Sequence, residues 1–361
     1  MSKSILFYFN SLQPSGGIER VISTLANKLC THYDITILVK DPAVSFYPLN
    51  SNVRFLSLQN DLNFNMESRV SRIFTAFISA LKNTKALRHF LNQNEFDNYY
   101  LAHPLNVLEF HLARGVLKKD TIVTEHGGVD AYNAVYKRIK AWLYPKAKIY
   151  VVPTTTDTKI YKDLGYPAKY LPHFRSDLIY ERSKLDNQRI LTIGRFTDVK
   201  QHMLLLRIWK EIINEVQPTQ WKLQLIGQGE LKQEYLNYVK VNKIEHFVEI
   251  LTPSQNVSQF YKSASVFVLT SKSEGFGMVL LEAISFGLPC ISFDCPAGPR
   301  DIINNKNGFL IAQNDEKALK NAIMQLMIQP QLLNDLGQQA FLDSRNWQDE
   351  DILNLWHQIL N

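Results

Sequence analysis

The sequence predicts an α/β protein built as two doubly wound halves facing a cleft. Three observations carry the prediction. Apolar runs of four or five residues recur from end to end, amphipathic segments separate them, and a polar stretch at 175–187 breaks the series in two. Short apolar runs joined by helices read as parallel strands with helices on both faces of the sheet. A chain of 361 residues is also too long for one ordinary core and about right for two. Ligands then belong at the carboxyl ends of the strands.

In the first half, residues 5–9, 35–39, 99–102, 122–125 and 149–152 read as buried strands, and 18–29 as a helix. In the second, 190–193, 223–226, 248–251, 266–269 and 289–293 read as strands, with helices at 203–216, 257–263 and 317–328. A long amphipathic segment at 66–91 carries Arg69, Arg72, Lys82, Lys85 and Arg88 around Phe74, Phe77, Ile78 and Leu81. A second basic stretch, Lys137, Arg138, Lys140, Lys146 and Lys148, surrounds Trp142 and Tyr144. Basic helices with aromatics can lie on anionic membranes; an ordinary core helix with a solvated face fits the same pattern.

Hydrophobic residues make up 45% and charged residues 20%, a soluble globular balance. Cys30, Cys290 and Cys295 form no C-x-x-C pair and leave an odd thiol, so all three are expected reduced and the compartment cytosolic. The apolar run at 5–9 is too short for a signal peptide or a membrane span. The net charge of +6 is unevenly spread. Residues 1–175 hold 22 Lys and Arg against 13 Asp and Glu, +9, and the rest of the chain carries −3. The basic half suits an anionic partner: a lipid surface, a phosphorylated acceptor or nucleic acid. With no zinc spacing and no aromatic–basic RNA motif, nucleic acid is set aside.

The richest motif is Ser273-Glu274-Gly275-Phe276-Gly277-Met278-Val279-Leu280-Leu281-Glu282-Ala283. A glycine-rich bend feeds an apolar helix, whose start offers unpaired N–H groups and a positive dipole end to a phosphate. Acids on either side are poor phosphate ligands but good acceptors for sugar and ribose hydroxyls. Eight helical residues rise about 12 Å and leave the two acids roughly 80° apart, so they cannot share one metal or one proton. That disfavours a glycosidase pair, which needs carboxyls about 5–9.5 Å apart. From spacing alone, a solvated and a capping glutamate on an ordinary helix remain an equal alternative.

Four further motifs follow or end strands. Gly16 and Gly17 open the helix at 18–29 and allow an anion to approach the backbone, though a structural turn explains them equally well. Gly194-Arg195, followed by Lys200, sets two cations at a strand's carboxyl end, where they suit a diphosphate leaving group; ordinary surface cations are the alternative. Thr124-Glu125-His126-Gly127-Gly128 presents an accessible histidine, able to hydrogen-bond a sugar hydroxyl or shuttle a proton, although taken alone it fits a structural histidine better. Gly227-Gln228-Gly229 is followed by Lys232 where a dinucleotide fingerprint wants its third glycine, which counts against a nicotinamide or flavin enzyme.

Together these residues resemble the retaining glycosyltransferases of family 4, with the GT-B fold, over nearly the whole chain. The run from Phe293 to Ile303, then Asn307-Gly308-Phe309-Leu310, is similar to bacterial members that build surface polysaccharide and lipid-linked oligosaccharide. The resemblance implies an acceptor-binding, membrane-facing domain at 1–175, a nucleotide-sugar donor domain at 176–345, and a last helix within 346–361 that crosses back to the first domain. Arg195 and Lys200 would bind the donor diphosphate, Glu282 the ribose, and Glu274 the donor sugar near the reacting carbon. Backbone N–H groups of Phe276, Gly277 and Met278 would hold phosphate and sugar. Gly16 and Gly17 would close on the diphosphate, Gly227 would border the donor, and His126 would hydrogen-bond its sugar.

Such enzymes need no metal and no cofactor beyond the UDP-sugar co-substrate. The expected reaction is retaining transfer of a hexose or N-acetylhexosamine to a lipid-linked glycan or polysaccharide unit, at the inner face of the cytoplasmic membrane. A phosphorylase or sugar-nucleotide epimerase on the same fold, or a silent sugar-nucleotide-binding subunit, is the alternative. One departure stands out: Leu171-Pro172-His173-Phe174 replaces the Ile-Pro-Asn-Pro of many relatives.

Overall fold

The computed structural model describes residues 2–59, 69–117, 120–216, 219–254 and 256–361, with side chains of the helix at 69–93 described from residue 80 onward. Met66 and the side chains of Arg69, Arg72, Phe74, Phe77 and Ile78, part of the expected basic helix, lie outside the described residues. The chain divides into two compact units, Met1–Phe174 with Asp349–Asn361, and Arg175–Gln348.

The first unit runs β1 (Ser4–Phe9), α1 (Gly17–Leu29), β2 (Asp34–Val39), β3 (Arg54–Ser57), α2 (Arg69–Gln93), β4 (Asn98–Leu101), α3 (Pro104–Arg114), β5 (Thr121–Thr124), α4 (Ala134–Leu143), β6 (Ile149–Val152), α5 (Thr155–Asp163) and β7 (Ala168–Tyr170). Its strands pair in parallel in the order β3-β2-β1-β4-β5-β6-β7. β1 is buried from Ile5 to Phe9 because both faces are covered, which is why it reads as a continuous apolar run. Leu6, Tyr8, Leu101, Val107, Phe110 and Val123 lie in one core cluster with Tyr144 and Tyr150.

Local chemistry sets the helix ends. His103 Nδ1 accepts the Leu105 N–H at 3.2 Å, capping α3 ahead of Pro104, and Gly115 ends it in the left-handed region at φ 85°. Asn133 caps α4 by accepting from the Tyr136 N–H at 3.0 Å.

The second unit contains β8 (Arg189–Ile193), α6 (His202–Glu215), β9 (Lys222–Ile226), α7 (Lys232–Val241), β10 (Val248–Leu251), α8 (Ser258–Ser263), β11 (Val266–Leu269), α9 (Met278–Ser285), β12 (Cys290–Phe293), α10 (Pro299–Ile302), β13 (Gly308–Ile311), α11 (Glu316–Ile328) and α12 (Pro330–Asp343). Its parallel sheet is ordered β10-β9-β8-β11-β12-β13. The last helix, α13 (Asp349–Leu360), belongs to the first unit. Lys3 and Lys148 donate to the carbonyls of Leu360 and Ile359 at 3.1 and 2.7 Å, placing cations at the negative end of its dipole.

The strands absent from the sequence reading are β3, β7 and β13. β3 and β7 are short and half-exposed, so neither shows an apolar run; β13 was read only as part of a motif. The strand expected at 122–125 ends at Thr124, leaving Glu125 in the following loop.

The second basic stretch does not form one surface. Lys140 is buried against Glu125, and Tyr144 is in the core. Lys148 is spent on α13. Lys140 and Tyr144 are drawn inward by partners that periodicity cannot show, whereas Lys148 stays exposed while it holds the end of α13. Lys137, Arg138, Trp142 and Lys146 remain exposed.

Candidate active site

In an open parallel sheet, ligands gather where the strand order reverses, because the loops there part to either side. In the second unit that point lies between β8 and β11. Lys200 follows β8, Glu274 follows β11, and Lys200 Nζ meets Glu274 Oε1 at 2.6 Å, with the side chains 18% and 10% exposed. Ser271 Oγ donates to the same oxygen at 2.6 Å. Thr270 Oγ1 donates to the Lys200 carbonyl at 2.9 Å and the Lys272 N–H donates to the Val199 carbonyl at 2.8 Å, tying the two loops together.

Arg195, one residue past Gly194, is exposed; its carbonyl accepts from the Thr197 N–H at 2.9 Å, but its guanidinium has no hydrogen-bonding or ionic partner among the described residues. His202 is buried beside Lys200 and Phe196; burial, reinforced by the Lys200 charge, pulls its imidazole down to about 3, so it is neutral. Burial, with Glu274 nearby, pushes the Cys295 thiol up to about 12 and leaves it unreactive.

Glu274 lies in the bend before α9, and Gly277 takes φ 88°, the left-handed conformation that turns the chain into the helix. Phe276, Gly277 and Met278 form that helix start, and Phe276 and Met278 are buried. Glu282, on α9, is 2% exposed and turns elsewhere. Its Oε1 accepts from Ser176 Oγ at 2.5 Å and its Oε2 from Tyr261 OH at 2.6 Å. The two acids therefore serve separate partner sets, and Glu282 also binds the segment entering this unit to α8.

Two glycine assignments change in meaning. An ideal Cβ on Gly227 would lie 2.0 Å from the Gly194 carbonyl oxygen and 2.6 Å from the Phe196 ring, so glycine is required there by the protein's own loops rather than by a ligand. We predict that Gly227→Ala destabilises the free protein by about 1–3 kcal/mol through overpacking. Thermal denaturation without any nucleotide sugar checks this; an unchanged midpoint would return Gly227 to a purely ligand-facing role. At the start of α1, Gly17 has open space where a Cβ would stand, but the Glu19 carboxylate lies over Gly16, 2.1 Å from its ideal Cβ. The expected anion position there is shared with the chain's own first-turn acid, which the helix dipole favours.

In the first unit the strand order reverses between β1 and β4. Asn106 Nδ2 donates to Asn10 Oδ1 at 3.0 Å across that point, and His103 stands at the start of α3 beside Tyr136, 5.1 Å between centroids. With its Nδ1 spent on the cap, the His103 proton sits on Nε2; burial pulls its pKa down to about 4, aided by the Lys40 charge.

His126 follows β5. Its Nε2 lies 2.9 Å from Thr124 Oγ1 and 3.4 Å from Tyr100 OH, whereas Nδ1 has no partner among the described residues. Burial pulls this imidazole down to about 4, so it is a neutral hydrogen-bonding group rather than a cation. His173, in the departure from the Ile-Pro-Asn-Pro pattern, stacks on it with centroids 5.5 Å apart and planes 9° from parallel.

The sequence assigns no site role to Glu125, His103, Asn10 or Ser271, and reads Lys140 only as part of a basic stretch. Glu125 alone carried a signal, an acid at a strand's carboxyl end inside the His126 motif. Ser271 sits three residues before Glu274 and bonds it locally, while Lys140, His103 and Asn10 are brought to their partners by the topology.

The family model described as "Glycosyl transferases group 1" matches residues 179–343. The amylovoran biosynthesis glycosyltransferase AmsD of Erwinia amylovora is 30% identical over 371 residues, covering 99% of each chain. A Campylobacter jejuni alpha-1,4-N-acetyl-D-galactosaminyltransferase, named as acting on a diNAcBac-PP-undecaprenol-linked GalNAc disaccharide, is 29% identical over 315 residues, covering 84% of each chain. Among solved structures, a mutant of S. aureus TarM in complex with fondaparinux, alpha-GlcNAc-glycerol and UDP matches with a TM-score of 0.80 at 13% identity, over 100% of both chains. That likeness concerns the fold, which is GT-B: two parallel sheets with helices on both faces. A full-length relative at this identity, together with a family model lying on the unit that joins Lys200 to Glu274, makes the chain a member of the group 1 glycosyl transferases.

Proposed function

We propose that the protein transfers a hexose or N-acetylhexosamine from a UDP-sugar to a lipid-linked glycan or polysaccharide repeat unit, with retention of anomeric configuration and without a metal. The observation that carries this reading is the Lys200–Glu274 pair at the β8/β11 switch point, beside the start of α9 and the unpartnered Arg195. On donor binding the Lys200 ammonium and Arg195 turn to the diphosphate, where they stabilise the charge that develops as the sugar departs. Glu274, released from Lys200, accepts from sugar hydroxyls. The N–H groups of Phe276, Gly277 and Met278 hold phosphate and sugar, and Glu282 shares its oxygens between Tyr261, Ser176 and the ribose. His126 offers Nδ1 to the sugar. The relative named for an undecaprenol-linked substrate and the neighbour determined with UDP support these acceptor and donor classes.

The test is mass spectrometry of purified protein incubated with UDP-, GDP- and ADP-sugars. Slow hydrolysis confined to a UDP-hexose or UDP-N-acetylhexosamine is expected; turnover of only GDP- or ADP-sugars overturns the donor. NMR of the transfer product then reads the anomer, and an inverted product overturns retention.

The acceptor class implies work at a membrane surface, and we place the contact on α3 and α4 of the basic unit. Leu112 on α3, Val116 just past its end, and Val135 and Trp142 on α4 are 44–62% exposed, with Lys137 and Arg138 on α4 and Lys146 just beyond it. Lys146 Nζ lies 4.9 Å from the centroid of the Trp142 ring. Among the described residues no helix is long and apolar enough to cross a membrane. Reversing Lys137 and Arg138 to Glu is expected to weaken binding to phosphatidylserine-containing vesicles by tenfold or more, at about 1 kcal/mol for each cation lost near the surface. Co-sedimentation that ignores both the substitution and salt would remove this face from the account.

A further inference from the structure

Glu125 is 1% exposed and is held by six donors from its own chain. Its two oxygens face opposite ways. Oε1 accepts from the backbone N–H groups of His126 and Gly127 at 2.9 and 3.0 Å and from Tyr132 OH at 2.9 Å. It thus clasps both ends of the loop 126–132. Oε2 accepts from Lys140 Nζ on α4, Tyr150 OH on β6 and Tyr161 OH on α5, the last at 2.8 Å. One oxygen holds the loop and the other holds the scaffold.

Burial alone would raise this carboxyl. The Lys140 charge, with hydrogen bonds from Lys140, Tyr150 and the Gly127 N–H, outweighs burial and keeps it below the usual carboxylate range. The Lys140 ammonium is itself enclosed, 4.3 Å from the Tyr132 ring centroid and 4.7 Å from that of Tyr161.

We infer that Glu125 is the positioning residue for His126, orienting the 126–127 backbone so that the histidine ring presents Nδ1 to the substrate. The inference rests on the proposed reading of His126 as a sugar contact. A carboxylate is required because every neighbour is a donor. A glutamine amide would set its own N–H groups against either the two loop N–H groups or the Lys140 ammonium. An alanine at this position would remove the anchor and also strand Lys140, so Glu125→Gln, which keeps the volume, is the cleaner probe. The ring itself is braced independently, by His173 stacking and by Thr124 and Tyr100 at Nε2. What Glu125 controls is therefore the small displacement of an already ordered group, and a misplacement of about 1 Å can lower a rate on the order of 100-fold.

The experiment is a double-mutant cycle on full-length protein, reading hydrolysis of UDP-glucose, UDP-galactose, UDP-GlcNAc and UDP-GalNAc by mass spectrometry. Glu125→Gln is expected to lower kcat by about tenfold to hundredfold with KM little changed. In a His126→Ala background the same substitution is expected to cost little more, because the residue through which it acts is gone. An equal loss in both backgrounds makes Glu125 a structural residue only and overturns the inference while leaving His126 in place. A His126→Ala protein as active as the wild type removes the sugar contact first, and the positioning role with it. If Glu125→Gln does not fold, Tyr132→Phe takes its place in the same cycle. It removes one loop-side donor and leaves the Glu125–Lys140 pair intact, and a smaller kcat loss that again vanishes without His126 is expected.

Discussion

Replacing Lys200 with alanine is expected to lower sugar transfer by about 10²–10³-fold, equivalent to about 2.7–4 kcal/mol of transition-state stabilisation. The size follows from its position. The ammonium is largely sheltered, its carbonyl is fixed by Thr270, and its charge meets Glu274 at 2.6 Å at the switch point of the sheet. In the proposed reading, the ammonium leaves Glu274 by a short turn and meets the departing diphosphate in a sheltered place, where a charge is worth more than in water. Stability is expected to change much less, because partly exposed ion pairs contribute only about 0–1 kcal/mol.

Glu274→Gln separates the two partners' roles. If the carboxylate holds sugar hydroxyls, the loss appears in kcat and varies among UDP-sugars of different hydroxyl configuration. If its task is only to hold Lys200, Glu274→Gln and Lys200→Ala fail alike with every donor. Steady-state kinetics of the two variants with two donors decides between these, and undiminished transfer by Lys200→Ala removes the site assignment altogether.

The second large effect is on stability. Lys40→Met is expected to cost the first unit about 3–5 kcal/mol, because it strands a buried carboxylate. Lys40 Nζ and Glu109 Oε2 lie 2.6 Å apart with both side chains 1% exposed, joining the end of β2 to α3. Tyr8 OH donates to the same oxygen at 2.9 Å. Burial lowers the Lys40 pKa, and Glu109 opposes that shift, so the charged lysine depends on this partner. Lys40→Met combined with Glu109→Gln removes both charges and keeps an acceptor for Tyr8; it is expected to recover most of the loss. Urea denaturation of the single and double variants measures both. A single variant as stable as the parent would show that Glu109 takes up a proton or a solvent path at little cost.

Much of the fold can be read along the chain. Strands buried on both faces, such as β1 and β11, announce themselves as apolar runs, and helices such as α1 and α6 by their spacing. Edge strands such as β3 and β7 do not, because partial exposure relaxes the demand for apolar residues. The basic stretch on α4 was legible as charge but not as surface: Lys137 and Lys140 are three positions apart, yet one faces solvent and the other is closed in by four tyrosines.

The sequence by itself determined the two-fold series of strands and helices, the uneven charge, and the residue types from which a nucleotide-sugar site can be made. Those properties are local, set by hydrophobic periodicity and by composition. Only the tertiary structure decided which residues act together. Lys200 and Glu274 are 74 positions apart and meet because β8 and β11 are neighbours in the sheet. Glu274 and Glu282 are close in sequence and part because a left-handed glycine and a buried helix send them to different partners. Glu125 becomes an anchor because three elements deliver donors to one carboxylate. Burial and pairing are properties of the packed molecule, and they assign a charged side chain to surface, core or site.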